Sequence, residues 1–526
     1  MKILSAAQIR LLDAYTIAHE PITSANLMER ASSAFVGWFK QQYSLPRPVV
    51  VVCGTGNNGG DGLCIARLLK QAYYKVSVIV IQGNASTTPD FLLNQARLNK
   101  LSGIAIRYLV AANEVPNQDP AQKNDSSPLQ SDISAALQAQ LLQFPHTIVI
   151  DALFGSGINR PLQGIYAQAV MAINQSACEV VAVDMPSGLY ADCATDSAVV
   201  VQARHTVSFE LPKLALLLPE NYAYVGNWHC VSIQLSADAI AQQDTAYYYL
   251  NAAQLLAIQR LEQQANRSLK AAQGKFAHKG SRGHALLIGG SKGKIGALLM
   301  AVGAALRQGA GLISGYVPAC GNDILQQLSP EAMTLSDPCY THISQLPENL
   351  SIYRAIGIGT GLGQHPDTAS ALKALLNSAS CSLVIDADAL NIIAAQGWQH
   401  LVPPNSILTP HPKEFERLAG ASANDFERLM RLQQLAKQIK CFIALKGAHT
   451  AMACPDGQVF FNSTGNSAMA VGGSGDVLTG IITAYLAQGH SPKSALLTGV
   501  FRHGQMGDMA AQNSKTGCIT ARDLYL

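Results

Sequence analysis

The sequence predicts an α/β protein of two tandem domains, each built on a parallel sheet that helices cover on both faces. Two observations lead to this fold class. Short apolar runs alternate with helical stretches in both halves of the chain, which is typical of buried parallel strands joined by helices. The chain is also 526 residues long, too long for one ordinary domain. The pattern fades in a polar, Gln-rich stretch at Ser236–Asp244, so we place the domains at residues 1–240 and 241–526.

The first half contains five strand segments, with helical stretches between several of them. The most notable of these stretches is Gly62–Tyr73, and the strand segments are Val49–Cys53, Val76–Ile81, Thr147–Asp151, Val180–Asp184 and Thr206–Phe209. Ser5 and Gln8 have the spacing of a capping box at the start of a first helix. The segment Asn113–Asp132 is rich in Asn, Gln, Asp, Ser and Pro, which is typical of a surface loop.

A helical stretch near Asn251 opens the second half, and a second α/β pattern follows it. Its strand segments are Ala285–Gly289, Leu312–Val317, Ile352–Gly359, Leu383–Asp386, Ile407–Thr409 and Cys441–Lys446. Its last helices are expected at Gly475–Gln488 and Pro492–Met509.

Composition excludes several classes of function. Hydrophobic residues make up 48% of the chain, charged residues 13%, and the net charge is +3, which fits a soluble enzyme and gives no indication of nucleic-acid binding. The 11 cysteines are scattered without a C-x-x-C pair, which argues against a zinc site or a disulfide framework. No run approaches the roughly 18 apolar residues of a membrane span. We expect a cytoplasmic enzyme without a membrane partner. A homo-oligomer is also expected, although no residue pattern specifies the number of copies.

The segment Gly472–Asp476 gives the strongest indication of chemistry. Glycines surround the predicted start of a helix, and free backbone N–H groups at the positive end of a helix bind anions such as phosphate. A carboxylate repels phosphate, but it is needed if a hydroxyl beside that phosphate must lose its proton. The pattern therefore predicts phosphoryl transfer to an alcohol, with a plain helix N-cap as the alternative.

Other strand ends of the second half support this prediction. His411 and Glu414 follow one strand, and Glu414 could hold Mg²⁺ or its water, or could be a surface carboxylate at a helix start. Lys446 offers a cation near a nucleotide phosphate, although a lone lysine is more often solvated. Asp386 and Asp388 end another strand, and their alternative role is to cap the next helix.

Two further glycine-rich segments indicate close approach of a substrate to the backbone. Gly289–Gly296 is similar to a P-loop, but the glycine spacing is wrong and Ile295 stands where Ser or Thr must bind Mg²⁺. We interpret it, together with Gly357–Gly363, as a turn that admits a substrate against the main chain.

The first half contains a glycine segment of a different kind. The strand Val49–Cys53 leads into Gly54–Gly62, which formally contains G-x-G-x-x-G. The next strand ends at Ile81 and Gln82 without an acidic residue for a ribose, which argues against a standard hydride-transfer site.

Polar residues follow three strand ends of the first half. Asn58, Asp151, Asp184 and Ser187 come after strands whose carboxyl ends meet at one edge of an open parallel sheet. Oxygen-rich groups of this kind suit a hard cation. Each aspartate taken alone could also be only a turn former.

Together these motifs resemble those of a known family. The second half resembles the ADP-dependent NAD(P)H-hydrate dehydratases through His278–Gly280, Ile288–Ser291, Gly359–Gly363, Asp386–Asn391, Thr409–Pro412, Leu445–Gly447 and Gly472–Asp476. The first half resembles the NAD(P)H-hydrate epimerases through Gly56–Gly62, Asp151–Pro161 and Val183–Gly188. Fused in this order, the halves resemble the bifunctional NAD(P)H-hydrate repair enzymes. The resemblance implies a Rossmann-like doubly wound sheet in the first domain and a ribokinase-like αβα sandwich in the second.

The resemblance also implies the chemistry. The first domain would interconvert the R and S forms of NADHX and NADPHX, the hydrates of the reduced nicotinamide nucleotides, and would use K⁺. The second would dehydrate the S form to NAD(P)H at the expense of ADP, giving AMP and phosphate, with Mg²⁺. The choice of ADP over ATP rests on the resemblance alone.

Roles for individual residues follow from the same resemblance. In the second domain, Ala297, Gly361, His411 and Asp476 would contact the hydrate. Lys446, Gly447, Ala448, His449, Thr450 and Gly475 would contact the nucleotide. In the first domain, the substrate would be lined by Asn57, Asn58, Gly59, Gly60, Asp61, Gly155, Ser156, Gly157, Ile158, Asn159, Arg160, Pro161 and Asp184. K⁺ would be held by Asn58, Asp151 and Ser187. The candidate catalytic residues are Asp476, as the base that takes the hydroxyl proton, and Asp184, as an acid or base.

Two alternatives stay open from the sequence. A kinase of a small alcohol could use the same ribokinase-like scaffold, since a fold does not fix a function. The first domain could also be a non-catalytic module for ligand sensing or assembly.

Overall fold

The structure is a computed structural model that describes residues 1–44, 47–83, 86–110, 133–141, 146–196, 199–266, 269–270 and 274–525. The predicted surface loop Asn113–Asp132 lies outside these residues. The chain forms two compact units, Lys2–Thr245 and Ala246–Leu526, with Met1 in the second unit. The domain boundary predicted after residue 240 lies within the helix Ala237–Gln242, five residues before the first unit ends at Thr245.

A seven-stranded parallel sheet forms the centre of the N-terminal unit. Its strands are β1 Val49–Cys53, β2 Val76–Gln82, β3 Ala105–Val110, β4 Ile148–Ala152, β5 Glu179–Val183, β6 His205–Phe209 and β7 Asn227–Val231. Their spatial order is β3-β2-β1-β4-β5-β6-β7, and every neighbouring pair is parallel. The order reverses direction between β1 and β4, which is the arrangement of a doubly wound sheet.

The helices of this unit cover both faces of the sheet. Their bounds are Ala6–His19, Ser24–Gln42, Asn57–Gln71, Pro89–Asn99, Ile133–Leu141, Gly164–Gln175, Tyr222–Val225 and Ala237–Gln242, with 3₁₀ turns at Leu214–Leu217 and Pro219–Asn221. Val50 and Val52 of β1 pack in one apolar cluster, while Val49 and Val51 are equally buried. Because successive side chains of a strand point to opposite faces, both faces are covered.

A ten-stranded sheet forms the centre of the C-terminal unit. Its strands are β8 Tyr247–Leu250, β9 His284–Ile288, β10 Leu312–Pro318, β11 Met333–Asp337, β12 Ala355–Ile358, β13 Leu383–Ile385, β14 Ile407–Leu408, β15 Phe442–Leu445, β16 Ala451–Ala453 and β17 Val459–Asn462. The spatial order is β11-β10-β9-β12-β13-β14-β15-β16-β17-β8. Only β16 runs antiparallel to its neighbours β15 and β17 among the described strands.

Helices also cover both faces of this second sheet. Their bounds are Ala252–Ala265, Ile295–Arg307, Asn322–Leu328, Pro366–Ser378, Ala387–Gln396, Pro412–Ala419, Asp425–Ile439, Ser474–Ala487 and Pro492–Asn513, with 3₁₀ turns at Ala319–Gly321, Trp398–Leu401, Ser467–Met469 and Ala521–Leu524. Leu287 of β9 and Val384 of β13 pack in one large apolar cluster, while Leu286 and Ile385 of the same strands are buried outside it. The predicted fold class, two α/β domains with parallel sheets, is therefore confirmed.

Several edge elements differ from the sequence prediction. The strands β3, β7, β8, β11, β16 and β17 were not predicted. Most of them lie at or near sheet edges, where one or both faces are partly exposed and the sequence carries polar residues such as Arg107 and Asn227.

Among the helices of the described residues, none combines the length and the apolar character that a membrane span requires.

The helix predicted at Gly62–Tyr73 begins five residues earlier, at Asn57, and ends at Gln71. The predicted loop residues Asn57–Asp61 are therefore its first turn. Glycine makes this start possible, because a Cβ on Gly59 would lie 1.9 Å from the backbone oxygen of Gly54.

Candidate active sites

The carboxyl ends of five neighbouring strands form one edge of the C-terminal sheet. In spatial order these strands are β9, β12, β13, β14 and β15, and all of them are parallel. The predicted segments that follow these strands therefore meet at one edge, where open α/β sheets bind ligands. The helix Ser474–Ala487 begins at the same place, since a Cβ on Gly475 would lie 3.4 Å from Lys446 Nζ.

The start of that helix is left open by its glycines. Gly473 is the N-cap residue and provides no capping side chain. Its φ is 95°, and a Cβ at this position would lie 2.2 Å from Met300 Sδ, so a residue with a side chain is excluded on both grounds. The first N–H groups of the helix have no capping side chain and form a place for an anion.

Lys446 and Asp386 form an ion pair beside this helix start. Lys446 Nζ lies 2.8 Å from Asp386 Oδ1, and the other carboxylate oxygen accepts a hydrogen bond of 2.9 Å from Thr479 Oγ1. Burial works against the lysine charge, but Asp386 and neighbouring carboxylates outweigh it and raise the pKa of Lys446. Asp386 is the N-cap residue of the next helix, as the alternative has it, but its side chain makes no capping hydrogen bond and contacts Lys446 and Thr479 instead.

The carboxyl group of Asp476 lies in the first turn of the same helix. Burial, followed by the negative charges of Asp386 and Asp388, raises its pKa to about 7, although Lys446 acts in the opposite direction. A base is most effective when its pKa lies near the working pH. Asp476 therefore has the protonation behaviour that a proton acceptor at neutral pH requires.

His411 and Glu414 form a capping box at the start of the helix Pro412–Ala419. Glu414 Oε2 accepts a hydrogen bond of 2.8 Å from the His411 backbone N–H and lies 4.0 Å from Lys446 Nζ. Glu414 is buried, so it is not the surface carboxylate that the sequence allowed as an alternative. Its predicted contact with Mg²⁺ or its water stays a prediction.

The segment from Lys446 to Thr450 connects β15 to β16. The Lys446 backbone N–H donates to Pro410 O at 2.9 Å, which links this loop to the one carrying His411. Thr450 Oγ1 donates to Gly447 O at 3.1 Å, and a ring nitrogen of His449 lies 3.2 Å from Asn462 O. Five of the six residues predicted to contact a nucleotide, Lys446 to Thr450, thus lie in one turn at the ion pair, and the sixth, Gly475, lies beside Lys446.

Ala297 and Gly361 lie against each other beyond the carboxyl end of β12. A Cβ on Gly361 would lie 3.0 Å from Ala297 Cβ, and Gly361 has a φ of 60°. Asp388 accepts a hydrogen bond of 2.8 Å from the Gly363 N–H and lies 3.6 Å from Lys294 Nζ. The two predicted hydrate contacts therefore meet in a turn that Asp388 fixes.

His503 is a neighbour of this site that sequence reasoning missed. Its Nε2 lies 3.3 Å from Ser474 Oγ, at the start of the glycine-opened helix. Burial, with a further contribution from Lys446, lowers the pKa of His503 to about 4, so the imidazole is neutral at pH 7. Its position within the last long helix, far from any glycine motif, gave no signal in the sequence.

A second candidate site lies in the N-terminal unit, at the carboxyl ends of the neighbouring strands β1, β4, β5 and β6. Gly59 and Gly60 are buried in the first helical turn after β1, while Asn57 is exposed. A Cβ on Gly155 would lie 3.3 Å from Asn58 Oδ1 and 3.4 Å from Asp184 Oδ2. The loops after β1, β4 and β5 therefore converge on one place, as predicted.

Asp151 and Ser187 form the innermost part of this second site. Ser187 Oγ donates to Asp151 Oδ1 at 2.6 Å, and the Ser187 backbone N–H donates to Asp151 Oδ2 at 2.8 Å. Burial raises the pKa of Asp151 to about 6 despite these hydrogen bonds. Among the described residues no cationic side chain pairs with this carboxylate, so a cation would fit its charge.

The amide of Asn58 gives a second test of the cation site. Its Nδ2 is buried and has no hydrogen-bond partner among the described residues. The nitrogen and oxygen of an amide are assigned from their partners. Turning this amide over would place an oxygen, the ligand that a hard cation prefers, where the unpartnered atom lies.

Asp184 and Lys213 form a buried ion pair at the same edge. Lys213 is fully buried, and its Nζ donates to Asp184 Oδ1 at 2.5 Å, to Ser208 Oγ at 2.8 Å and to Phe209 O at 3.1 Å. Burial favours the neutral acid, but the Lys213 charge and the hydrogen bonds outweigh it and hold the pKa of Asp184 below its ordinary value. Asp184 is therefore a carboxylate at neutral pH, which suits a base and not a proton donor.

Two further carboxyl groups near Asp184 have pKa values that are raised and not lowered. Burial, followed by the charge of Asp184, raises the pKa of Asp61 well above its ordinary value. The same two causes raise the pKa of Asp13 to about 6. Sequence reasoning missed both Asp13 and Lys213. Lys213 carried a weak signal, since it follows the end of β6 by four residues, whereas Asp13 lies within the first helix, Ala6–His19, outside any motif.

The predicted substrate segment Gly155–Pro161 is only partly gathered around Asp184. The Ser156 N–H donates to Asp184 Oδ2 at 3.3 Å, and Ile158 packs against the apolar core. Gly157 lies beside Arg10, with a Cβ position 3.7 Å from its Nη1. The remaining three residues, Asn159, Arg160 and Pro161, are exposed, and their contact with a substrate stays a prediction.

Comparison with known proteins matches the two halves of the chain to two different families. Residues 285–525 match the family described as NAD(P)H-hydrate dehydratase, and residues 24–215 match the family described as YjeF-related protein N-terminus. The bifunctional NAD(P)H-hydrate repair enzyme Nnr of Moorella thermoacetica is 34% identical over 100% of this chain and 95% of its own length. The Escherichia coli K12 enzyme of the same name is 31% identical over 96% of this chain and 88% of its own length. A crystal structure of the ADP/ATP-dependent NAD(P)H-hydrate dehydratase of Bacillus subtilis with ATP/Mg²⁺ is 34% identical, covers 48% of this chain and 90% of its own, and has a TM-score of 0.42.

Proposed function

The chain belongs to the family of bifunctional NAD(P)H-hydrate repair enzymes, and from this premise we propose what each unit does. The N-terminal unit interconverts the R and S forms of NADHX and NADPHX. The C-terminal unit dehydrates the S form to NAD(P)H, consuming ADP and giving AMP and phosphate. The observation that carries the second activity is the position of the Lys446–Asp386 pair beside an uncapped helix start that also holds Asp476.

Dehydration needs a proton acceptor and a place for phosphate charge. Asp476 takes the proton of the ring hydroxyl, and the hydroxyl oxygen then bonds to the terminal phosphorus of ADP while the bond to AMP breaks. The N–H groups at the start of the helix Ser474–Ala487 and the ammonium of Lys446 stabilise the charge on the transferring group. The C–O bond to the new phosphate then breaks, a ring C–H proton leaves, and the double bond of NAD(P)H returns.

One further group, Mg²⁺, would fit beside these residues. Mg²⁺, when bound with the nucleotide, supplies positive charge to the phosphates. Glu414, which is buried 4.0 Å from Lys446 Nζ, is the residue we expect near its water. His411, Ala297 and Gly361 form the side that would receive the nicotinamide ring.

Epimerisation needs the hydroxyl to leave one face of the ring and water to add to the other. We assign the base to Asp184, which Lys213 keeps ionised, and the proton donor to Asp61, whose pKa is raised by burial and by Asp184. K⁺, held by Asp151, Ser187 and the turned amide of Asn58, would neutralise a carboxylate that has no cationic partner among the described residues.

One experiment tests both activities together. The purified full-length protein is incubated with mixed hydrate epimers and with ADP, ATP or no nucleotide in turn. We expect the near-ultraviolet absorbance of reduced nicotinamide to return with ADP, inorganic phosphate to be released, and both epimers to be consumed. A stable phosphorylated hydrate without recovery of absorbance would instead show a kinase. Consumption of one epimer only would show that the N-terminal unit is non-catalytic.

The number of copies in solution is a separate proposal. We propose a homo-oligomer, and sedimentation equilibrium of the full-length protein measures it directly.

A further inference from the structure

A second group of metal-binding side chains lies in the C-terminal unit, apart from the ion pair of Lys446. His342 lies in the segment after β11, and His365 and Asp367 lie at the start of the helix Pro366–Ser378. One ligand atom of each side chain lies within 4.8 Å of the other two. We call these three residues the histidine–aspartate cluster, and nothing in the proposed repair reactions uses it.

The distances from the two histidine nitrogens to Asp367 agree with the coordination shell of a zinc-class ion. His342 Nε2 lies 3.2 Å from Asp367 Oδ2, and His365 Nδ1 lies 3.5 Å from the same oxygen. Zinc binds nitrogen and oxygen ligands at about 2.0–2.2 Å in tetrahedral geometry, which places neighbouring ligand atoms about 3.3 Å apart. The two distances from the histidine nitrogens to Asp367 Oδ2, 3.2 and 3.5 Å, lie just below and just above that value. The two imidazole rings are stacked with centroids 3.8 Å apart, and His365 Nδ1 accepts the Asp367 N–H, so both rings would turn when the ion binds.

A second contact prepares His342 for a metal. Its other ring nitrogen, Nδ1, lies 2.9 Å from Thr341 Oγ1. A histidine that binds metal commonly donates its second ring N–H to an oxygen, which fixes the tautomer and leaves the first nitrogen unprotonated. In the metal-free protein the Nε2–H of His342 faces the Asp367 carboxylate, which can only accept. An ion bound there would replace this proton, and Nδ1–H would then donate to Thr341.

The segment that carries His342 is held in place by buried hydrogen bonds. The carboxylate of Asp337 accepts from the N–H groups of Cys339 and Ser344, both at 2.8 Å, and from Tyr316 OH at 3.0 Å. The backbone oxygen of Thr341 accepts from the Lys292 N–H at 2.8 Å. The ligand therefore sits on an ordered loop, so binding costs little ordering of the chain.

Cys339 touches the cluster without belonging to it. Its Sγ lies 3.4 Å from His342 Nδ1 and 3.7 Å from His342 Nε2, similar distances to both nitrogens. A thiol in line with the lone pair of Nε2 would be much further from Nδ1, so the sulfur lies off that axis. The ligand set is therefore two imidazoles and one carboxylate.

This ligand set selects one class of ion. Imidazole suits zinc and its first-row neighbours, whereas K⁺ and Mg²⁺ prefer oxygen ligands. We propose that His342, His365 and Asp367 bind one zinc-class transition-metal ion, with water in the fourth position. His365 and Asp367 are half-exposed, so the ion enters from solution and a chelator removes it.

Cobalt titration of the full-length protein tests this site. Co²⁺ substitutes for zinc and its visible absorption reports both geometry and ligand type. After treatment with chelator, we expect one equivalent to bind with the bands of a tetrahedral nitrogen and oxygen site, and zinc to displace it. His365→Ala and Asp367→Asn should each weaken binding at least about tenfold. Both changes are at exposed positions, and circular dichroism verifies folding.

His400→Ala is the matched control, since His400 is an exposed histidine of the same unit outside the cluster. It should bind Co²⁺ like the unaltered protein, and so should Cys339→Ser. Three results would overturn the proposal. These are no bound Co²⁺ in the unaltered protein, sulfur-to-metal charge-transfer absorption that places the ion on cysteine, or unchanged affinity in both cluster variants.

Discussion

Asp386 Oδ1 lies 2.8 Å from Lys446 Nζ, and this pair connects the two chemical tasks of the C-terminal site. The lysine lies beside the helix start that would hold phosphate, and the carboxylate raises the pKa of Asp476. In the proposed reaction, the charge that holds the phosphate contact would thus also raise the pKa of the base. Asp386 itself needs no contact with either substrate to affect both.

Asp386→Asn should weaken nucleotide use and shift the pH dependence together. The variant keeps the size of the side chain but removes the charge that pairs with Lys446. Loss of a hydrogen bond between charged groups is worth about 1.5–3 kcal/mol, so we expect kcat/KM for the nucleotide to fall about tenfold to a hundredfold. The acid limb of the rate profile should move to lower pH, since one negative charge near Asp476 is gone. Thr479→Val, which removes only a neutral donor to Asp386, is the control. An effect as large from this control would assign the loss to packing.

Asp476→Asn should stop dehydration and spare epimerisation. The amide cannot accept the hydroxyl proton, and general-base catalysis contributes about 10²- to 10⁴-fold. Rates of NAD(P)H formation from the S hydrate measure the loss, and exchange between epimers in the same sample is the internal control. Near-normal dehydration by this variant would remove Asp476 from the chemistry.

The pH dependence of dehydration should show a limb near pH 7. Asp476 has a pKa of about 7, and the base must be unprotonated to act. As pH falls below this value the carboxylate binds a proton, so kcat/KM should decrease about tenfold per pH unit. Measurements from pH 5.5 to 8.5 on a freshly prepared hydrate check it. A profile flat down to pH 5 would contradict the assigned pKa.

The sequence located the strand ends well because buried parallel strands are continuous apolar runs. Val49–Cys53 was predicted without error, and residues after β13, β14 and β15 could be assigned to one edge from the order of the pattern alone. Edge strands such as β3 and β7 were missed because their side chains are partly exposed and mixed in polarity. Their pairing depends on tertiary neighbours and not on composition.

The site residues that the sequence missed share a physical reason. Lys213 and His503 act from elements that carry no glycine motif, and their effect on Asp184 and Ser474 depends on distances that a linear pattern does not contain. The pKa values of the site residues also depend on these distances, so the sequence does not predict them. The sequence placed Asp184 as an acid or base, but only the buried ammonium beside it shows that the carboxylate is ionised.

Potassium should stabilise the N-terminal unit through Asp151. An ion that binds only the folded state raises the unfolding midpoint with its concentration, and Asp151 is a buried carboxylate without a cationic partner among the described residues. We expect the melting temperature to rise with KCl more than with choline chloride at equal ionic strength. Asp151→Asn should abolish this difference and slow epimerisation. An equal response of the variant would place the ion elsewhere.

Lys213→Met should destabilise the N-terminal unit in a way that depends on pH. Lys213 is fully buried, so its removal leaves the Asp184 carboxylate without a counter-charge, which costs about 3–5 kcal/mol. The folded-state pKa of Asp184 lies below its unfolded value, so its stabilising contribution is present above about pH 4 and is lost as pH falls through the folded pKa.

In the variant, burial without the lysine raises that pKa, and Asp184 is neutral at mildly acidic pH. The stability deficit should therefore be largest at neutral pH and smaller near pH 5, when unfolding is followed by urea titration at each pH. Epimerisation should fall most at mildly acidic pH, where the base is protonated in the variant. The double variant Lys213→Met/Asp184→Asn separates charge from packing, since it removes the unpaired carboxylate while keeping the altered side-chain volume. We expect it to recover much of the lost stability, and a deficit as large as that of the single variant at every pH would show that Lys213 acts by packing alone.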